Sequence, residues 1–468
     1  MDTQISNLRA QLIQLEDERS VLAESHQQHK AIMSPLRRMP PEILANIFLY
    51  TLPSSSEIAH SSESKTTQSP WILGQICSRW REIALSASSL WSIIHVSTKP
   101  NPLAMIQTQI DRARMLKIHY YSPKDGDSSP EILKFFEFLS EHSARWEELN
   151  IHLTNSLAPH MVALKGRLPS LRRLWVRWNA ASADAAIESL KCFETCPSLK
   201  EIALARKDNV PQPLSVLFPA TQLTTYRVRC PWKTHRDILR RASNIVEAKI
   251  SVPSSDEPWS VPEVIDMTLL QRLYVSPSNV LEYLRAPALT GIVCVESQEN
   301  SIWRDLDSFC IRSSCTLKQL CIEGLPDANI TAEILEKYPS IKNLALMFAF
   351  GGEDELTNAL DTHLNLFTQR DVPVFPHLEE ICFGARRAKF PINYSLVLKM
   401  LQSRRNLCRT LNSATFVVKS GPSPDAITLS GLNALAEDGL NLRLFNGSSG
   451  MEMKIHLDRW MYGTPWIH

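Results

Sequence analysis

LPSLRRLWV, residues 168–176, sets the pattern from which the fold can be read. Its apolar residues Leu171, Leu174 and Val176 stand at steps of three and two, behind Pro169. Side chains alternate along a strand, so the second and third apolar residues share one face. The proline stops any preceding helix, because it has no backbone N–H and biases the residue before it toward extended geometry. The frame returns as CPSLKEIAL (196–204), YPSIKNLAL (338–346) and FPHLEEICF (375–383). Without the proline it also occurs as Trp146, Leu149, Ile151, as Leu223, Tyr226, Val228, as Ile245, Ala248, Ile250 and as Leu270, Leu273, Val275. Further copies are Leu289, Ile292, Cys294, then Leu317, Leu320, Ile322, and the weaker Leu411, Ala414, Phe416. First positions follow one another at 19–28 residues for eight intervals, then at 37 and 33.

Helical stretches such as 180–196 and 331–338 lie between these triplets, so each unit is a strand and a helix. A unit this small cannot bury its apolar face alone, but a stack of them can. The spacing resembles that of irregular leucine-rich repeats, whose period is about 20–29 residues. That resemblance implies an α/β solenoid with parallel strands on one face and helices on the other. The two long intervals, holding Gly351, Gly352 and residues 361–374, read as rim loops or unread units. The tail after Gly421 reads as a terminal cap, with a turn at 447–450 and a strand around 453–457.

Upstream, MPPEILANIFLYTLP (39–53) and ILGQICSRWREIALSASSLWSII (72–94) show apolar residues at helical spacing. Ile43, Leu44, Ile47 and Phe48 recur in the first; Leu73, Ile76, Cys77, Trp80 and Ala84 recur in the second. These segments resemble an F-box, the helical module that docks substrate receptors on the adaptor of Skp–cullin–F-box ubiquitin ligases. The family's opening Leu-Pro corresponds to Met39 and Pro40, followed by Ile43, Leu44, Ile47 and Phe48. Its Val-Cys-x-x-Trp corresponds to Ile76, Cys77 and Trp80, and its closing Leu-Trp to Leu90 and Trp91. The serine-rich insert at 54–68 departs from the shortest F-boxes and is similar to the expanded fungal F-box-like family. Its composition is too poor in large apolar residues to fold by itself.

The expected organisation is an N-terminal helix at 1–33, a three-helix F-box at 34–97 and the repeat domain at 98–468. In the first segment Ile5, Leu8, Leu12, Leu15 and Leu22 alternate three- and four-residue steps, with Arg19 breaking the series. This is a short coiled-coil pattern that admits weak homodimerisation. Ser34 and Pro35 close that helix.

Composition narrows the function. A net charge of +1 gives no global attraction to nucleic acid or an anionic membrane. No apolar run approaches the roughly 20 residues that span a bilayer. The start of the chain lacks the apolar core of a secretion signal, so ten scattered cysteines without a Cys-x-x-Cys pair read as thiols of the cytoplasm or nucleus. No phosphate-cradling glycine loop, nucleophile elbow or metal-spaced histidine pair occurs, and no catalytic residue, metal or cofactor is expected.

Binding is expected instead. Outward strand positions include Arg173, Trp175, Arg177, Arg227, Arg229, Lys249, Arg272 and Tyr274, against the acidic Glu201 and Glu247. Such a strip suits an acidic or phosphorylated peptide, since arginine offers a planar fork and aromatics offer anchoring area. The resemblance implies a ligase substrate receptor that binds the adaptor and, through it, cullin. The alternative is a non-ligase interaction scaffold built on the same modules; a nucleic-acid binder ranks below both.

Overall fold

Each apolar triplet from Trp146 to Phe416 lies in or at the mouth of a strand, and those strands form one parallel sheet. The computed structural model describes residues 2–32, 35–52, 70–96, 103–120, 127–179, 183–206, 218–253, 263–295, 302–349, 351–368, 375–385, 392–407, 409–418 and 423–446. The serine-rich insert, the turn at 447–450 and the strand anticipated at 453–457 lie outside these residues. The chain divides into two units: Met1–His95 with Asn101–Leu116, and Val96–Pro100 with Lys117–His468.

The strands in chain order are β1 (Ile93–Val96), β2 (Leu116–Tyr120), β3 (Trp146–Leu153), β4 (Arg173–Trp178), β5 (Glu201–Arg206), β6 (Thr225–Arg229), β7 (Glu247–Ser251) and β8 (Ile265–Asp266). They continue as β9 (Arg272–Ser276), β10 (Leu284–Arg285), β11 (Gly291–Val295), β12 (Gln319–Gly324), β13 (Asn343–Phe348), β14 (Glu380–Ala385), β15 (Ser413–Val418) and β16 (Asn441–Asn446). From β3 the large sheet of the second unit follows chain order, while β8 and β10 form a separate parallel pair.

The repeat is preserved in the register. Leu149 stands opposite Leu174, then Ile202, Tyr226, Ala248, Leu273, Ile292, Leu320, Leu344, Ile381 and Ala414. The first-position residues from Trp146 to Leu411 are buried as well. At the mouth of β4 and of each later strand of the large sheet a backbone N–H reaches the carbonyl one unit earlier. Lys200 donates to Arg172 at 2.9 Å, Thr224 to Lys200 at 2.8 Å and Val246 to Thr224 at 2.8 Å. Parallel strands need long crossovers, and helices such as Ala328–Lys337, Glu353–Leu366 and Tyr394–Leu407 supply them. Asp327 caps the first of these, accepting the N–H groups of Asn329 and Ile330 at 2.8 and 3.0 Å.

Sequence and structure differ at both ends of the stack. The helix Glu353–Leu366 lies in the long interval that read as a rim loop or an unread unit, which makes it the helix of an ordinary unit. Behind Leu411 comes another full unit, the helix Ala426–Glu437 and β16, where a cap was anticipated. Its first apolar position is taken by Gly439, which turns the chain at φ +90°. Strand β2 likewise carries a triplet, Ala113, Leu116 and Ile118, whose small first member hid it.

The first unit begins with the helix Asp2–Ile32, followed by Pro35–Arg38, Pro41–Tyr50, Leu73–Ile76, Ser78–Ser86, the 3₁₀ turn Ser88–Trp91 and the helix Leu103–Arg112. Proline opens Pro41–Tyr50 where the missing N–H costs nothing. Trp91 donates from Nε1 to the carbonyl of Ala84 at 2.7 Å, and Gln109 donates to that of Ile93 at 2.7 Å. The guanidinium of Arg112 lies 4.4 Å from the ring centre of Trp91 and 5.5 Å from that of Trp71. No helix among the described residues is long and apolar enough to cross a membrane.

Leu320 is fully buried in the middle of the sheet. Leu320→Ala should lower the unfolding free energy by about 2–5 kcal/mol, measured by denaturant titration. His235 adds a pH dependence, because burial lowers its pKa to about 4. Tyr226 Oη donates to its Nδ1 at 2.8 Å, and its Nε2 donates to the carbonyl of Ser251 at 3.2 Å. The unfolded chain therefore binds the proton first. Stability from this group is complete above pH 6.5 and falls progressively toward pH 4, and His235→Phe should flatten that decline in a pH series of melts.

Candidate functional site

The helix Pro41–Tyr50 has two apolar sides. Leu44 and Phe48, four residues apart, are both 0% exposed and face the helices behind. Ile43 and Ile47 repeat the same spacing one residue earlier, yet remain 47% and 39% exposed. Pro40 and Pro41 are exposed beside them. On the second helical pair Ile76 is 54% exposed and the Cys77 thiol is also open. Tyr50, Leu49 and Ile72 are exposed as well, and the sequence reading passed over them.

The remaining motif residues hold the unit together. Leu73, Ile83, Leu90 and Trp91 are buried. Trp80 is half-buried, with its ring centre 4.7 Å from that of Phe48. Cys77 caps the helix Ser78–Ser86, its sulfur accepting the N–H of Trp80 at 3.5 Å. Arg79 donates to the carbonyls of Leu36, Arg37 and Met39, fixing the approach to Pro40. Arg81 donates to the carbonyl of Gly74 at 2.7 Å.

On the outward strand face of the second unit, seven of the eight basic and aromatic residues picked from the sequence lie on β4, β6 and β9, and Lys249 lies on β7. Their charges, however, are largely matched inside the sheet. Arg173 pairs with Glu148 on β3 at 3.0 Å, and His119 on β2 meets the other oxygen of that carboxylate at 2.8 Å. Glu247 on β7 receives Arg227 on one oxygen and Arg272, at 2.6 Å, on the other. Arg227 is buried. Tyr274 is buried too, under the Lys249 ammonium at 4.4 Å from its ring centre. Neighbouring strands stand only about 4.8 Å apart, so long outward side chains lie on one another instead of standing free.

Sequence reading missed Glu148 and His119. Glu148 occupies the outward position of its unit that Arg173 occupies in the next, so the signal was present. His119 sits in the unit masked by Ala113. Burial would raise the pKa of Glu148, but the bond to His119 and the charge of Arg173 outweigh it and hold the pKa low. Glu201 goes the other way: burial lifts it, Glu148 and Glu247 add to the rise, and Arg173 and Arg227 only partly oppose it.

Trp175, Arg177 and Arg229 are half-buried at the downstream part of this face. Ala203 and Ala205 on β5 lie between their strands, with Ala203 opposite Trp175 and Ala205 opposite Arg177. Two small side chains thus stand between Trp175 and Arg177 on β4 and Arg227 on β6. Burial lowers the pKa of Arg229. Farther along, Val293, Cys321, Ala345, Met347, Cys382 and Val417 pack into an apolar cluster with Tyr274. Burial pushes the Cys196 and Cys382 thiols up to about 12, leaving them protonated near neutrality. No group of three or more His, Cys, Asp or Glu among the described residues could hold a metal ion.

Glu247→Ala should cost about 3–5 kcal/mol of stability, since it strands the buried Arg227 without its counter-charge. Denaturant unfolding checks this.

No protein-family model matches the chain, and no curated protein matches it.

Proposed function

We propose that this chain is the target-binding subunit of a Skp–cullin–F-box ubiquitin ligase, with the helical unit as an F-box and the sheet-and-helix unit as an irregular leucine-rich-repeat array. One observation carries the reading: Ile43 and Ile47 stand open on the helix whose other side, Leu44 and Phe48, is sealed. A helix that keeps a second apolar stripe in water gains by burying it against a partner. Pro40, Ile43, Ile47, Ile76 and Cys77 are the adaptor-facing residues in this reading. Leu44, Phe48, Leu90 and Trp91 hold the fold, while Met39 and Trp80 border both. Cullin is reached through the adaptor. The subunit performs no bond chemistry and takes no cofactor; it raises the local concentration of its target near the ubiquitin-carrying enzyme. Its setting is the cytoplasm or nucleus.

The target-binding strip centres on the half-buried Trp175, Arg177 and Arg229, which flank two alanines on the strand between them. Arg173, Arg227 and Arg272 serve as its ion-paired frame, and Tyr274 as its packed edge. Two cations on the strands either side of Ala205 favour an acidic or phosphorylated segment.

The test is retention of purified adaptor–cullin by the full-length protein. Ile43→Asp with Ile47→Asp should weaken retention by about 30-fold or more while leaving the melting temperature unchanged. Phe48→Ala should lower the melt itself. Failure of the unaltered chain to retain adaptor would overturn the ligase reading. Arg177→Ala with Arg229→Ala should abolish target capture and spare the adaptor.

A further inference from the structure

The helix Asp2–Ile32 carries an apolar stripe that the other described residues leave uncovered. Leu12, Leu15 and Leu22 are 58%, 64% and 70% exposed along a helix of 31 residues. With Ile5 and Leu8 they keep a seven-residue period, and Arg19 takes the one charged place in the seam. A stripe of this period winds against one like it, each side chain entering a hole on the facing helix.

We propose that the occupant is the same helix of a second copy, running antiparallel. The argument is charge complementarity. In a parallel, in-register pair Arg19 would face its own counterpart inside the seam. In an antiparallel pair that sets Leu12 against the partner's Leu15, Arg19 falls at the level of Leu8 and not of its own counterpart. The same alignment sets Ile5 against the partner's Leu22. Arg9 and Glu16 are one period apart and share one flanking position of the seam. Antiparallel pairing brings that flank onto itself, so Arg9 meets the partner's Glu16, and the two-fold axis makes the pair twice. A parallel pair instead sets Arg9 near Gln4 and Glu16 near Gln11, which gains nothing. A partner helix of other sequence would need both charges in mirrored places; the chain's own copy has them. The chains leave such a pair at opposite ends, which yields a receptor with two target-binding units.

Sedimentation velocity of the full-length protein across micromolar concentrations tests this without reference to adaptor binding. The expected species approaches twice the 53.0 kDa of one chain. Leu12→Asp with Leu15→Asp should give a monomer with an unchanged melt. Arg9→Glu should weaken association by about tenfold through reversal of both pairs, and Arg9→Glu with Glu16→Arg should restore it. A monomer at all concentrations, or a dimer that survives the leucine substitutions, would overturn the proposal. Indifference to Arg9→Glu would overturn the antiparallel pairing.

Discussion

The second unit depends on registration between strands. From β4 on, each strand of the large sheet enters through a backbone N–H bonded to the unit before it, and that bond fixes which residue stands opposite which. Once Arg172, Lys200 and Thr224 are linked in this way, the apolar positions fall into continuous rows. A slip of one residue would turn every one of those side chains to the opposite face. Stability in such a stack is shared between neighbours, so the rows matter more than any single contact.

The same registration organises the polar face. Glu148 and Arg173 are aligned, as are Glu247 and Arg272, because each pair occupies the same repeat position. Buried or half-buried cations are tolerable only when matched, and two carboxylates do most of the matching. What looked from composition like a surplus of positive charge is chiefly an internal ladder. Farther downstream, around Ala205, Trp175, Arg177 and Arg229 are half-buried.

The apolar rows were legible because a three-then-two spacing recurs with little noise from Trp146 to Phe416. Legibility failed where a small residue took the first place: Ala113 hid β2 and Gly439 hid β16. It also failed on outward positions, since alternation states which way a side chain leaves the backbone but not what it then lies on. Arg227 and Tyr274 point outward and are nevertheless buried. In the helical unit, spacing alone could not separate Ile43 from Leu44, because both sides of that helix are apolar. Only packing tells them apart. Cys77 was visible as a motif residue, whereas its role as a helix cap rests on the distance from its sulfur to Trp80.

Arg112 lies against the rings of both Trp71 and Trp91, whose centres are 4.8 Å apart in an edge-on arrangement. This cation comes from a helix beyond the last motif residue, and Gln109 on the same helix is tied to Ile93. Cutting the polypeptide straight after Val96 would therefore strip a lid from the two indoles and expose them to water. A self-sufficient N-terminal fragment must run on to Leu116, and shorter pieces invite aggregation through that uncovered aromatic pair.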